Sequence, residues 1–319
     1  MSPKDALQKA IDLAEGQSAL ARKIECKQQN IWRWLKIAGR VPAEVVLTIE
    51  SATGVPRHEL RPDIYPAPDS EVAACISPKD TATDNEIHRG LSAISAATVT
   101  MQLLKRGIRN ISMAGVRPLN DPPQRLVGPA YTLRYVPLRE DLSTPEVLGQ
   151  PDYPPRLAIE HAPEGSVLVI DGRGIADIAV VGDLLVERLK IRGVAGVVSD
   201  GGVRDCAEAL AVGLALYAAG PAAPASVAGH AAADIETPIA CGGVAVFPGD
   251  IICADGDGVV VVPKALAAEV AEDGLEQERY ERFAKLKIKE GRKVPGVYPP
   301  NEETKAEYAE WLKAGEPEG

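Results

Sequence analysis

Aromatic side chains are scarce in this chain: two Phe, three Trp and eight Tyr among 319 residues, or 4%. Hydrophobic residues still make up 45%, so a substantial core is available, but aliphatic side chains must fill most of it. Cysteines number five, at 26, 75, 206, 241 and 253, with no CxxC and no zinc-ribbon spacing. An odd, scattered set excludes a disulfide framework and reads as the reduced thiols of a cytoplasmic protein. There is no signal peptide and no apolar run long enough to span a bilayer, so a soluble protein without a membrane partner is expected. The net charge of −10 argues against a polyanion-binding surface over the whole molecule. The charge is uneven, however. Residues 1–66 carry ten Lys/Arg and eight Asp/Glu, a balance of +2, which leaves −12 for the remainder.

A length of 319 residues suits one large domain or two smaller ones. Residues 1–62 read as short helices with tight turns, and 63–84, rich in Pro, Asp, Ser and Thr, as a linker. The pattern then changes. In EIHRGLSAISAATVTMQLLKRG, Leu91, Ile94, Val99, Leu103 and Leu104 recur at helical spacing. Short β-type runs follow at 127–137, 166–171, 194–199, 214–219 and 258–263, with helices expected at about 182–191 and 205–212. The runs VLVI and VVVV, bounded by Gly and Pro, fit strands buried on both faces. Residues 85–264 are therefore expected to form an α/β domain, and 265–319 a charged helical extension interrupted by PGVYPP.

In the first zone, QSALARKIECKQQNIWRWLK (17–36) has the apolar spacing of a helix-turn-helix. Leu20, Ala21 and Ile24 would face inward from the first helix, Cys26 would sit in the turn, and Ile31 and Trp34 would anchor the second helix. Trp32 is then left for a surface. The unit resembles the YdaS/Cro-like helix-turn-helix family over about residues 4–60, departing from it at Glu25, where that motif usually has Gly. The resemblance implies that Gln28, Gln29, Asn30 and Arg33 lie on the exposed side of the second helix. Gln and Asn can read adenine edges there, and Arg can read guanine. Six Lys/Arg against one acid over 22–40 supply the local positive charge that phosphate contacts require. A small helical bundle with a solvated basic face is the plainer alternative.

The polar residues that stand out in the second zone are Asp183 and, after an interval of twenty residues, the adjacent pair Arg204-Asp205, in GDLLVERLKIRGVAGVVSDGGVRD. A helix, a buried strand and a glycine turn can return them to one place, where two carboxylates and a guanidinium suit a divalent cation and a small oxyacid. Taken singly, each has a structural account. Asp183 and Asp205 both stand where a helix begins and could be caps, and Arg204 could pair with a surface carboxylate. Together, beside helix-start amides and with Gly201 and Gly202 clearing space, they point to a site.

This core, with LVGPAYTLRY, SVLVIDGRG and CGGVAVFPGDIICADGDGVVVVP around it, is similar over about residues 88–265 to one known family. That family holds the class II pyruvate aldolases acting on 4-hydroxy-4-methyl-2-oxoglutarate and the regulator of ribonuclease activity A. The resemblance implies a swivelling β/β/α-type domain, here preceded by the small all-α domain, assembled as homotrimers or hexamers with sites between subunits. It implies that Arg204 bonds the keto and carboxylate oxygens of a 2-oxo acid substrate, and that Asp205 ligates Mg²⁺ or Mn²⁺. Asp183 would reach the ion through water, and the amides of Gly182, Asp183, Leu184 and Leu185 would cradle the substrate carboxylate. In the aldolase branch a C-terminal helix lends an acid to a neighbouring site. Glu276, Glu278 and Glu281 are the candidates, and an ordinary solvated helix is the alternative.

The chemistry expected is cleavage of a 4-hydroxy-2-oxo acid to pyruvate through its enolate, with the positive groups placed where negative charge develops. Oxaloacetate would lose CO₂ through the same enolate, and a water oriented by Asp183 would take the C4 hydroxyl proton. No Schiff-base lysine stands in the motif; Lys190 falls on the helix with no partner identifiable in the sequence. Weaker signals read as structure. VLVIDGRGIAD lacks GxGxxG and is expected to end in a turn at Asp171-Gly172, and ADGDG (254–258) reads as a hairpin turn. His161 and His230 lack metal-ligand spacing, and Cys206 has no nearby His to activate it. Two other functions stay open: a 2-oxo acid sensor that regulates transcription without turnover, and a ribonuclease-binding regulator. The fused first domain adds the expectation that substrate binding alters assembly geometry and DNA half-site spacing.

Overall fold

The computed structural model describes residues 3–14, 16–24, 26–38, 40–42, 45–62, 84–141 and 143–317. The chain divides into two compact units, Met1–Lys79 and Asp80–Gly319. The expected linker lies outside the described residues except for its last position, and Glu25 lies outside them as well.

The first unit is helical: α1 (Pro3–Leu13), α2 (Gln17–Lys23), α3 (Gln28–Arg33) with a π-helical turn at Trp34–Ala38, α4 (Val46–Thr53) and α5 (Arg57–Leu60). Ala6, Leu7, Ala10 and Ile11 on α1 recur at helical spacing and meet Leu20, Ala21, Ile24, Ile31 and Ile49 in one small core. The two helices of the expected motif thus pack through the residues their spacing indicated. One position differs: Trp34 is only half-buried, and Leu35, four residues after Ile31, fills the core.

The second unit opens with α6 (Asp84–Ser92) and α7 (Ala96–Lys105), then β1 (Arg117–Pro118), β2 (Leu126–Pro137) and α8 (Pro154–His161). An α/β succession follows: β3 (Val167–Asp171), β4 (Ala179–Val181), α9 (Asp183–Ile191), β5 (Gly196–Ser199), β6 (Gly202–Val203), α10 (Cys206–Ala211), β7 (Ala215–Ala218) and β8 (Gly220–Pro221). Next come β9 (His230–Ile235), β10 (Ile239–Cys241), β11 (Val244–Val246), β12 (Ile251–Asp255) and β13 (Gly258–Val262), and finally α11 (Ala267–Lys289) and α12 (Glu302–Lys313).

The large sheet runs β1-β7-β5-β3-β2-β12-β13, with β9 also paired to β2. Strands β7, β5, β3 and β2 are parallel to one another, and every other pairing in the sheet is antiparallel. The segment before β1 bridges Ser112 to Val260 of β13, while β1 itself pairs with β7. The two ends of the sheet therefore meet, making the nearly closed barrel of a swivelling-type α/β domain. Residues along β3 alternate between two cores. Val167 and Val169 point into the barrel, and Leu168 and Ile170 point out toward α8 and α9. Both faces are covered, which is why VLVID reads as a continuous apolar run. Helix α11 packs on α6 and α7 over a third core of Leu91, Ile94, Val99 and Val270. Helix α12 folds back on α11 through Tyr280, Phe283, Tyr308 and Trp311, which gathers several of the few aromatic rings at one place.

Candidate functional site

Strands β4, β6 and β8 form a separate parallel sheet in that order. Each continues a strand of the large sheet: β3 runs on into β4, β5 into β6 and β7 into β8, and the parent strands are neighbours in the same order. Hydrogen bonds carry the pairing to the tips. Arg204 N–H donates to Val181 O at 2.9 Å and Ala222 N–H to Val203 O at 2.9 Å. Three chain segments thus end side by side: Gly182-Asp183, Arg204-Asp205 and Ala222-Ala223. Residues far apart in sequence converge because parallel strands all present their C-terminal ends at one edge.

Gly182, not Asp183, holds the cap position of α9, and Asp183 is the first helical residue. Asp205 holds the cap position of α10 with φ 48° and ψ 49°, in the left-handed region, yet its side chain makes no capping bond. Helix capping, the plain account of both acids, therefore does not apply. A side-chain carbon at Gly182 would stand 3.7 Å from Arg204 Cβ and 4.0 Å from Asp205 Oδ2, so the two strand ends adjoin. Arg204 Nε lies 3.5 Å from Asp205 Oδ2, with both side chains about half exposed. A cleft of about 370 Å³ opens here, between Val203–Cys206 on one side and Pro221–Ala223 on the other. Larger depressions, of about 740 Å³ on α11–α12 and about 550 Å³ beside α1, hold no comparable grouping.

The four amides of the expected cradle differ in their backbone partners. Leu185 N–H is engaged with Gly182 O at 3.1 Å, because the helix closes its first turn there. The amides of Asp183 and Leu184 face the helix mouth without a backbone acceptor among the described residues. The Leu184 side chain is 78% exposed, while Leu185 packs partly into the core.

Among the described residues no three His, Cys, Asp or Glu side chains converge as a closed metal cage. The carboxylates the strand ends offer are that of Asp205, at the cleft, and that of Asp183, the residue after Gly182. Such an oxygen set does not fit structural zinc, which takes four protein ligands. It does fit Mg²⁺ or Mn²⁺, which keep several waters and use one or two carboxylates plus substrate oxygens.

The remaining candidates have structural places. Glu278 Oε1 accepts from Ser95 N–H, Ser95 Oγ and Thr98 Oγ1 at 3.1, 3.0 and 2.6 Å, holding the start of α7. Burial raises its carboxyl, but these bonds outweigh burial and hold it below the usual range. Glu276 pairs with Arg279 and Tyr308, and Glu281 accepts from Gln277 and Tyr298. All three acids are thus engaged within their own chain. His161 is exposed, and His230 is fully buried against Tyr135 with Arg173 Nη1 3.4 Å from its Nδ1. Burial, then the Arg173 charge, lower the His230 pKa to about 4. Burial raises the Cys206 thiol, which disfavours a nucleophile. The ADGDG segment is the β12–β13 hairpin turn, and Lys190 donates to Gly213 O. On α3, Gln28, Gln29, Asn30 and Arg33 are all exposed, as is half of Trp32.

Two buried acids near the site are not among the residues the sequence motif singles out. Asp171, expected at a turn, ends β3 almost fully buried, and Asp200, directly after β5, is in the same state. Burial pushes the Asp171 carboxyl up, and the nearby Asp200 charge adds to this against the hydrogen bond from Arg173 N–H. A charged residue closing each of two valine-rich strands was the available signal.

Residues 91–261, more than half of the chain, match the family model described as RraA-like, Aldolase/RraA. The chain belongs to the RraA-like family. Residues 7–69 match the model for the bacterial toxin YdaS. A Halalkalibacterium halodurans protein with the provisional name 4-hydroxy-4-methyl-2-oxoglutarate aldolase is 33% identical over 172 residues, covering 54% of this chain and 75% of that one. Among solved structures, Streptomyces coelicolor RraAS2, described as an unusual member of the RNase ES inhibitor RraA family, is 33% identical with a TM-score of 0.57. It covers 64% of this chain and 98% of its own. A Pseudomonas syringae pv. tomato protein of uncharacterised function is 26% identical with a TM-score of 0.59, covering 68% and 99%. These RraA-like neighbours match the α/β unit described above. No helix among the described residues is long and apolar enough to cross a membrane.

Proposed function

We propose that this RraA-like chain is a divalent-metal-dependent lyase that cleaves a 4-hydroxy-2-oxo acid of the 4-hydroxy-4-methyl-2-oxoglutarate type to pyruvate, with oxaloacetate decarboxylation as a side activity. The observation that carries this reading is that Gly182, which opens the helix bearing Asp183, adjoins Arg204-Asp205 at neighbouring strand ends, with neither acid spent on capping. The relative named as an aldolase supports the same reaction class.

Asp205 and Asp183 would hold Mg²⁺ or Mn²⁺, which when bound supplies positive charge to the 2-oxo acid oxygens. Arg204, half exposed at the cleft, is free to turn its guanidinium onto the keto and carboxylate oxygens. The amides of Asp183 and Leu184, at the positive end of α9, receive the carboxylate. Asp183 orients a water that takes the C4 hydroxyl proton. As the C3–C4 bond breaks, C4 becomes a carbonyl and the bonding pair moves into the enolate of pyruvate. Arg204 stabilises the enolate oxygen, and protonation at C3 releases pyruvate. With oxaloacetate the same bond pair leaves CO₂ behind and gives the same enolate.

The exposed Gln28, Gln29, Asn30 and Arg33 on α3, together with the YdaS match, support DNA binding by the first unit. A cytoplasmic homotrimer or hexamer completes the reading. The deciding measurement is pyruvate release from 4-hydroxy-4-methyl-2-oxoglutarate and oxaloacetate, with Mg²⁺ and with EDTA, for wild type and Arg204→Ala. Metal-dependent turnover lost in the variant establishes the lyase. Binding of a 2-oxo acid without turnover of either compound would favour the sensor, and capture of a ribonuclease without 2-oxo acid binding would favour the regulator suggested by the Streptomyces relative.

A further inference from the structure

The three site residues stand on strand tips that have left the large sheet, so something must fix the angle at which they leave. Asp200 occupies the bend between β5 and β6, only 8% exposed. Its Oδ1 accepts from Gly172 N–H at 2.7 Å, and its Oδ2 from Gly174 N–H at 3.0 Å and Gly242 N–H at 3.1 Å. Gly172 and Gly174 belong to the bend between β3 and β4, and Gly242 to the turn between β10 and β11. One carboxylate therefore ties together the bend that leads to Asp183, the bend that leads to Arg204-Asp205, and a turn in the barrel lining.

The surroundings leave that tie little slack. A Cβ at Gly172 would come within 2.5 Å of Gly201 N, so the two bends cross backbone to backbone. Ser199 Oγ donates to Ile170 O at 3.0 Å and accepts from Gly201 N–H at 2.9 Å, lacing the same crossing from inside. Beyond it, only Gly201, Gly202 and Val203, all buried, separate Asp200 from Arg204. A buried carboxylate held by three amides is strongly bound and directionally exacting.

We infer that Asp200 is a positioning residue: it sets the separation and orientation of Asp183 relative to Arg204-Asp205. The inference rests on the lyase reading for its catalytic consequence, though not for its geometric one. Misplacing reacting groups by about 1 Å costs on the order of a hundredfold in rate. In Asp200→Asn one acceptor is exchanged for an NH₂ facing amide donors, with almost no change in volume.

The test compares full-length wild type, Asp200→Asn and Ser199→Ala by melting temperature, by kcat and KM for pyruvate release well below the melting point, and by crystal structure. The expected result for Asp200→Asn is a displacement of 201–205 relative to β5, and a kcat lowered at least about tenfold with KM changed less than about threefold. Ser199→Ala is expected to show the same effects at smaller size and decides the matter if Asp200→Asn does not fold. A lowered melting temperature with 201–205 unmoved and kcat within about twofold of wild type would overturn the inference and leave Asp200 as a fold staple. Failure of wild type to turn over either substrate would sink the lyase reading alone, since the displacement of 201–205 is read without activity.

Discussion

Gly182 keeps Asp205 open: a side-chain carbon built on the glycine would stand 4.0 Å from Asp205 Oδ2 and 3.7 Å from Arg204 Cβ. The backbone there is extended, with φ −131° and ψ 178°, so any residue can adopt it. A branched side chain would project toward Arg204 and the Asp205 carboxylate. Gly182→Val is therefore expected to cost about 1 kcal/mol or less in stability. It should raise KM for the 2-oxo acid by about tenfold or more, an effect of roughly 1.4 kcal/mol. Steady-state kinetics beside thermal denaturation check this, and a large loss of stability with unchanged KM would contradict it.

Asp205 can be separated from its backbone by substitution. Its φ of 48° lies where Asn is tolerated and Ala is not. Asp205→Asn should keep stability within about 0.5 kcal/mol of wild type, while weakening Mn²⁺ binding, followed by electron paramagnetic resonance, by at least about tenfold. Asp205→Ala should lose the same binding and about 1 kcal/mol of stability besides, for the left-handed conformation.

Glu278 holds the start of α7 in its own chain through Ser95 and Thr98. Glu278→Ala is expected to lower stability by about 1–2 kcal/mol, the usual worth of such a cap with a charged acceptor. Mn²⁺ affinity should stay within about twofold of wild type, because the carboxylate is already committed to α7. Urea denaturation and metal titration of the same sample separate the two.

The buried His230 sets a pH dependence. Its pKa is lowered from 6.5 to about 4 by burial and then by Arg173. Between those values the unfolded chain binds a proton that the folded chain does not, so the stability contributed by the neutral ring is complete above pH 6.5 and is lost as pH falls toward 4. From pH 7 to pH 5 this group should cost about 2 kcal/mol. Denaturation curves at the two pH values should show that loss in wild type and a flatter response in His230→Gln.

Much of this architecture can be read from residue patterns because two-sided burial leaves a plain trace. The valine-rich runs of β3, β5 and β13 were visible for that reason. Strands β4, β6 and β8, of two or three residues, are too short to show any period, and they are what brings the site together. Asp183, Arg204 and Asp205 were legible as a set, but their convergence needed the small sheet. Asp200 was legible only as a charged residue after a valine-rich strand; its partners are backbone amides, which no side-chain pattern encodes. The bond from the Leu185 amide to Gly182 O belongs to the turn geometry of a helix start, which residue spacing does not encode.

The small sheet is the outrun of three load-carrying strands, and this divides the chain into what must stay and what can be rewritten. The aliphatic stretches behind the bends hold the barrel, while the short segments Val203–Cys206 and Pro221–Ala223 line the cleft. Retuning Ala222-Ala223 or the opening turn of α9 would alter what the cleft accepts without disturbing the packing that supports it. One scaffold can thus serve several small-molecule chemistries, each separated from the next by a handful of codons.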